Sequence, residues 1–247
     1  MRTAFFGGSF DPPHCGHLAI AQAAANRFAL DQVLFAPAGN QPLKGSLATA
    51  SYADRLAMVR IATQADPRFS PCELDCPRPD HRPNYTYDTL SQLKLSGAPF
   101  STEGAPFSTE GAPSSTRGCA VGSHANHLFC LLGADSFHTL RHWHRAAELL
   151  LLCDFIVAAR PGYTLAQIDH QLPAGISVTA QNGPAELQLA GPTGASTLHL
   201  LLDLEEDISA TALRQALGTD DTAAVQRMLP PGIADYIHTH TLYPDPS

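Results

Sequence analysis

Apolar residues in this chain come as short continuous runs that alternate with longer stretches in which they recur every three or four positions. The first run, Arg2 to Phe6, predicts a β-strand. The alanine-rich stretch that follows, Leu18 to Phe28, places Leu18, Ala21, Ala25 and Phe28 on one face and predicts a helix. The same alternation returns along the chain. A run at Gln32 to Ala36 precedes a helical pattern at Tyr52 to Gln64, and Leu128 to Leu132 precedes helical patterns at Ala134 to Trp143 and Arg145 to Leu152. Phe155 to Ala159 precedes Leu165 to Leu172, and Tyr87 to Leu95 adds one more helical run. Runs such as LFCLL and FIVAA are apolar throughout, which suits strands covered on both faces. The predicted fold class is therefore α/β, a doubly wound parallel sheet with helices on both sides. Ligands of such sheets collect at the carboxyl ends of the strands, where Gly7, Gly133 and Arg160 fall.

Two segments interrupt the pattern. Gln181 to Ser196 reads as a loop between strands. Between Leu95 and Leu128, the heptad GAPFSTE at Gly97 to Glu103 recurs at Gly104 to Glu110 and again as GAPSSTR at Gly111 to Arg117. Each unit holds Gly, Pro, Ser and Thr with at most one large apolar side chain, too little to offset the entropy of ordering it, and its prolines oppose a coiled coil. Residues 97–126 are accordingly expected to be a low-complexity surface insertion in a single domain spanning 1–247, since 247 residues would divide poorly into two cores.

Net charge narrows the partners. At −8 with a pI near 5.8, the chain is not expected to attract nucleic acid or an anionic membrane, so an anionic substrate has to be caught by local groups. The first strand starts with no apolar leader before it, and the longest apolar stretch, Leu149 to Ala159, is too short to span a bilayer and is broken by Asp154. A cytoplasmic protein is expected; a homo-oligomer is compatible with the sequence. Six cysteines lie without CxxC spacing, so neither a disulfide framework nor a zinc ribbon is indicated, and no metal ligands are assigned, Cys72, Asp75, Cys76 and His81 included.

The candidate chemistry begins at GGSFDPPHCGH, Gly7 to His17, between the first strand and the first helix. Glycines there let a backbone approach a phosphate, the helix start offers unpaired N–H groups, and His14 and His17 sit beside them as hydrogen-bond donors. Neither GxGxxG nor GxxxxGK[ST] is present. A second anion-binding pattern is ISATALR, Ile208 to Arg214, in which Ser209 is placed to cap a helix and Arg214 lies a little over one turn on. Taken alone, that pattern reads equally as an ordinary capped helix with a surface arginine.

HxGH followed by ISxTxxR resembles the nucleotidyltransferase superfamily related to class I aminoacyl-tRNA synthetases. The resemblance is closer still to the bacterial nicotinate-nucleotide adenylyltransferase family, because PAGNQPLK at Pro37, NYTYDTL at Asn84, LLGADSF at Leu131 and RPGY at Arg160 occur between those motifs in the expected order. It covers nearly the whole chain except the heptad insertion and implies a Rossmann-like doubly wound sheet of the nucleotidyltransferase type. The implied reaction is adenylyl transfer from ATP to nicotinate mononucleotide, giving nicotinate adenine dinucleotide and pyrophosphate in NAD biosynthesis, with Mg²⁺ carried in by ATP.

The resemblance also implies roles. His14, His17, Lys44 and Arg214 would bear on the reacting phosphates. Gly8, Ser9 and Phe10 form the turn beside them, Ser209 and Thr211 the triphosphate-binding helix start, and Gly133 and Asp135 the neighbourhood of the adenosine ribose. Thr86 and Trp143 would face the pyridine nucleotide, Trp143 by stacking on a flat ring. Plainer readings stand beside these: Trp143 as a core residue, Asp135 as a helix cap, and His138, His142 and His144 as solvated helix positions. Gln41 and Leu43 replace the family's common proline and histidine, and Asn84 replaces a frequent serine. Nicotinamide mononucleotide or phosphopantetheine as acceptor, or a silent nucleotide-binding regulator, are the alternatives.

Overall fold

In the computed structural model, which describes residues 1–40, 49–96, 126–159, 168, 170–202, 210–217 and 222–243, the strand runs assemble into one eight-stranded sheet. Its order is β3-β2-β1-β4-β5-β8-β7-β6, with β1 Arg2–Gly8, β2 Gln32–Pro37, β3 Phe69–Pro71, β4 His127–Gly133, β5 Asp154–Ala158, β6 Ser177–Gln181, β7 Glu186–Gly191 and β8 Gly194–Leu201. Every pairing from β3 to β8 in that order is parallel, and the two pairings of β7 are antiparallel. The helices are α1 Cys15–Arg27, α2 Tyr52–Ala62, α3 Thr86–Ser96, α4 Ala134–Thr139, α5 Ala146–Leu152, α6 Ala210–Leu217, α7 Thr222–Met228 and α8 Ile233–Thr239. Among the described residues no helix is long and apolar enough to cross a membrane.

The continuous apolar runs explain the layering. Successive side chains of β1 go to opposite faces: Phe5 joins Leu34, Leu90, Leu132, Phe137 and Phe155 under α3 to α5, while Ala4 and Phe6 join Phe35, Phe129, Leu131 and Ile156 under α1. Burying each such large side chain contributes about 1.5–3 kcal/mol. Gly16, Ala21, Ala24 and Ala25 make the buried face of α1, and their small size lets the helix lie close on the sheet. A third cluster, built from Met58, Leu213, Val225, Ile233, Ile237 and Tyr243, binds α6, α7 and α8 to the outer side of α2.

Three expectations need correction, and one strand was not expected at all. The segment Gln181 to Ser196 is not a loop: it forms β7 and the start of β8, closed by a two-residue turn between paired Gly191 and Gly194. Gly191, Pro192 and Gly194 belong to that hairpin and Gly183 and Pro184 to the turn that leads from β6, and Leu187 and Leu189 alternate inward while the intervening positions face out, as a half-covered antiparallel strand requires. The sheet is thus mixed rather than wholly parallel. The short edge strand β3 had no periodic signal. The first strand runs through Gly7 and Gly8, and α1 begins at Cys15, so Gly16 and His17 already belong to its first turn. Most of Leu165 to Leu172, together with the heptad repeats, lies outside the described residues.

A candidate active site at the carboxyl end of the first strand

Strand order places β2 and β4 on opposite sides of β1, so the chain reverses its direction of winding there and opens a crevice beyond Gly8. The GGSFDPPHCGH turn fills one flank of that crevice. His14 caps α1 from an extended conformation and is 5% exposed, and its ring stacks on that of His17 with centroids 3.7 Å apart. The His14 backbone N–H donates to His17 Nδ1 at 3.2 Å. Because Nδ1 accepts, the neutral His17 ring carries its proton on Nε2, which becomes the donor nitrogen. Burial pulls the His14 imidazole down to about 4, so it is neutral near pH 7. His14 Nδ1 is buried and meets no hydrogen-bond partner among the described residues. Phe10, buried and held at φ 47°, supports His17 edge-on at 4.9 Å.

Arg214 arrives from the far end of the chain. Its Nη1 donates to the Asp11 carbonyl at 2.7 Å, so helix α6 and the histidine turn meet as the pairing of motifs requires. Asp11 is itself a junction: its buried carboxylate accepts from Thr49 N at 2.7 Å, Ala50 N at 3.0 Å and Tyr243 Oη at 2.8 Å. Lys44 and Ser209 lie outside the described residues, as does RPGY; for Thr211, only its backbone place in the first turn of α6 is described.

The other flank is a cleft of about 440 Å³ reached over Gly7, Gly8 and Ser9 and walled by the start of α3, by α4 and by the turn after it. Thr86 and Trp143 both line it. Trp143 is half-buried, leans on the core and donates from Nε1 to Thr139 Oγ1 at 3.2 Å, so it serves both as wall and as packing. Gly133 ends β4 and caps α4, and a Cβ placed on it would meet nothing within 4 Å. Asp135 follows in the first turn of α4, exposed and outside the residues that line the cleft. His138, His142 and His144 are exposed, and His144 stacks on Tyr85 at 4.3 Å across the cleft mouth.

One wall residue, Asp75, had no motif to announce it. Asp75, buried and with its carboxyl pushed up by desolvation, accepts from Thr89 Oγ1, and its backbone oxygen accepts from Gly39 N at 2.8 Å. Asn84 donates to the Cys76 carbonyl at 2.9 Å, tying the start of α3 to the same loop. Gly39 is a position where the side-chain-free backbone is required, since an added Cβ would lie 2.7 Å from both Asp75 O and Pro77 N. Gly39→Ala is expected to lower stability by about 2 kcal/mol through that clash, measured by urea unfolding. Among the described residues no three His, Cys, Asp or Glu side chains converge on one point, those around Cys72 and Cys76 included.

The cytidylyltransferase-like family model matches residues 5–216, from within β1 to the end region of α6. A probable nicotinate-nucleotide adenylyltransferase of Solibacter usitatus is 30% identical over 243 residues, 98% of this chain and 100% of that protein. The chain belongs to the cytidylyltransferase-like family and, within it, to the nicotinate-nucleotide adenylyltransferases. A second member of that family, from Synechococcus sp. (strain JA-3-3Ab), is 33% identical over 246 residues, covering 99% of this chain and 96% of its own. The fold extends further in sequence space. The Plasmodium falciparum nicotinic acid mononucleotide adenylyltransferase complexed with NaAD aligns over 98% of this chain and 97% of its own, with a TM-score of 0.65 at 18% identity. At that identity the likeness establishes the nucleotidyltransferase-like α/β fold.

Proposed function

We propose that this chain transfers the adenylyl group of ATP to nicotinate mononucleotide, releasing nicotinate adenine dinucleotide and pyrophosphate as a step of NAD biosynthesis. The observation that carries the reading is the two-sided site: His14, His17 and Arg214 gather on one flank of the β1 turn, and a cleft walled by Thr86 and Trp143 opens on the other. Two substrates can therefore meet end to end over Gly8 and Ser9. The full-length relatives named for this activity support the same conclusion.

In this reading an oxygen of the mononucleotide phosphate attacks the α-phosphorus of ATP. The new P–O bond forms as the bond to the bridging oxygen breaks, and the electron pair leaves with pyrophosphate. No protein group needs to take a proton from the nucleophile, which is already an anion near neutral pH. The protein's task is to align two repelling phosphates and to stabilise charge on the leaving oxygens. His17 Nε2–H, the buried His14, Lys44 and Arg214 supply donors there, and the N–H groups of Gly8, Ser9 and Phe10 line the turn. Ser209 and Thr211 would extend this at the start of α6.

The donor set fits a metal that arrives already bound to ATP. The groups facing the phosphates are imidazoles and a guanidinium, and the nearest buried carboxylate, Asp11, is engaged by three donors. Mg²⁺ supplies charge neutralisation on the phosphate oxygens. On the adenosine side, Gly133 and Asp135 would stand at the ribose. Nothing in the protein itself demands glycine at position 133, so close approach of a ligand is the reason we assign to it. Gly133→Ala is expected to leave thermal stability unchanged and to weaken ATP binding about tenfold, measured by calorimetric titration. We place the protein in the cytoplasm as a single domain, with the heptad segment as a surface insertion.

The deciding experiment follows pyrophosphate release from Mg-ATP with nicotinate mononucleotide, nicotinamide mononucleotide and phosphopantetheine in parallel. Strong preference for the nicotinate form is expected. Release with another acceptor alone would move the activity within the superfamily, and ATP binding without release would make the chain a regulator.

A further inference from the structure

Arg55 lies in the first turn of α2 and is 3% exposed, although the packing of that helix needs only an apolar side chain there. Burial lowers the hold of its guanidinium on the proton, and the Asp11 carboxylate nearby opposes that effect. A buried cation of this kind often contributes less to stability than an apolar replacement of the same volume. Its donors are spent on the backbones of three separate segments. Nη1 reaches the Ser9 carbonyl at 2.7 Å and the Ala38 carbonyl at 2.9 Å, and Nε reaches the Ala50 carbonyl at 3.3 Å. One side chain thus joins the histidine turn, the end of β2 and the cap of α2.

The contact with Ser9 has a directional consequence. The Ser9–Phe10 peptide is planar and trans, so turning its carbonyl toward Arg55 turns its N–H the opposite way, away from α2. Phe10 then follows in the left-handed region at φ 47°, a conformation costly for a residue with a side chain. Its ring is held by Phe6 at 5.5 Å, Phe35 at 5.6 Å and His17 at 4.9 Å. The turn is therefore gripped from two sides, by the guanidinium on its carbonyl and by the aromatic cluster on its side chain.

We propose that Arg55 is the positioning residue of the phosphate turn, orienting the Ser9–Phe10 peptide so that its N–H donates to the phosphates of the bound nucleotide. It touches no substrate and acts through the backbone. The proposal rests on the reading of this turn as the triphosphate site.

The test compares ligands that do and do not carry phosphates. Arg55→Met removes the donors at similar volume, and Arg55→Lys keeps the charge but loses the planar guanidinium whose Nη1 and Nε together hold three carbonyls. Each purified variant is titrated with Mg-ATP and with adenosine, alongside wild type, after circular dichroism establishes that it is folded. Loss of an oriented donor should weaken ATP binding about tenfold while adenosine affinity stays within about twofold, and should lower kcat with nicotinate mononucleotide more than it raises the acceptor KM. Parallel weakening of both ligands would show general loosening of the fold and overturn the proposal, as would unchanged ATP affinity. If the Met variant does not fold, the Lys variant decides by the same comparison. Wild type provides the separate control: failure to bind ATP more tightly than adenosine, or to release pyrophosphate with nicotinate mononucleotide, would count against the proposed function and not against the role of Arg55 within the turn.

Discussion

His17→Ala should fold and lose at least about 10²-fold in turnover, with nicotinate mononucleotide as acceptor and both substrates saturating. The ring is part of the first turn of α1, where it accepts the His14 N–H at 3.2 Å, so its removal takes away one capping contact worth about 1 kcal/mol. Much more is lost at the reacting centre. That same contact commits Nδ1 as an acceptor and leaves Nε2–H as the donor, and the stacking of His14 at 3.7 Å and Phe10 at 4.9 Å restricts where the ring can lie. A donor pre-oriented in this way strengthens as charge develops on the leaving pyrophosphate. Single-turnover measurements separate this loss from any change in substrate affinity. Near-wild-type turnover in a folded His17→Ala protein would remove the histidine from the mechanism.

Acid should destabilise the protein through His14, and by a large amount for one residue. The imidazole titrates near 6.5 when unfolded and near 4 when buried at the start of α1. Between those values the unfolded chain binds a proton that the folded chain rejects, so stability rises with pH. The contribution is fully present above about pH 6.5 and declines as pH falls through the window, the loss reaching about 3 kcal/mol by about pH 4. Urea unfolding of wild type and His14→Gln across that window measures it: the wild-type slope against pH should be steeper by up to one proton. Equal slopes would mean that His14 is no more buried than in the unfolded chain. Saturating ATP should flatten the wild-type curve, because a phosphate beside the imidazole favours the charged ring.

Both predictions concern residues that could be picked out before any geometry was known, since His14 and His17 share one short segment with the glycines that position them. Local motifs of this kind are legible because the chemistry and the turn that presents it are contiguous in the chain. The central strands were legible for a similar reason. Phe5, Leu34, Cys130 and Phe155 sit in continuous apolar runs, and only a sheet covered on both faces accommodates such runs. The hairpin of β7 and β8 was not read, although Leu187 and Leu189 alternate with polar residues, because the Gly and Pro that close its turn carry the same composition as a loop.

The sequence by itself determined the α/β class, the family resemblance and the segments that meet around the candidate site, Thr86 and Trp143 in the cleft wall among them. Tertiary structure alone decided how these pieces are held together. That Asp11 takes its donors from Thr49, Ala50 and Tyr243, that Arg214 closes on the Asp11 carbonyl, and that Arg55 ties Ser9 to Ala38 and Ala50 are contacts between segments far apart in the chain. Six of those partners are backbone groups, whose availability is set by local conformation and not by residue type. The depressed titration of His14 has the same origin: the residue supplies an imidazole, and only packing removes the water that would let it charge.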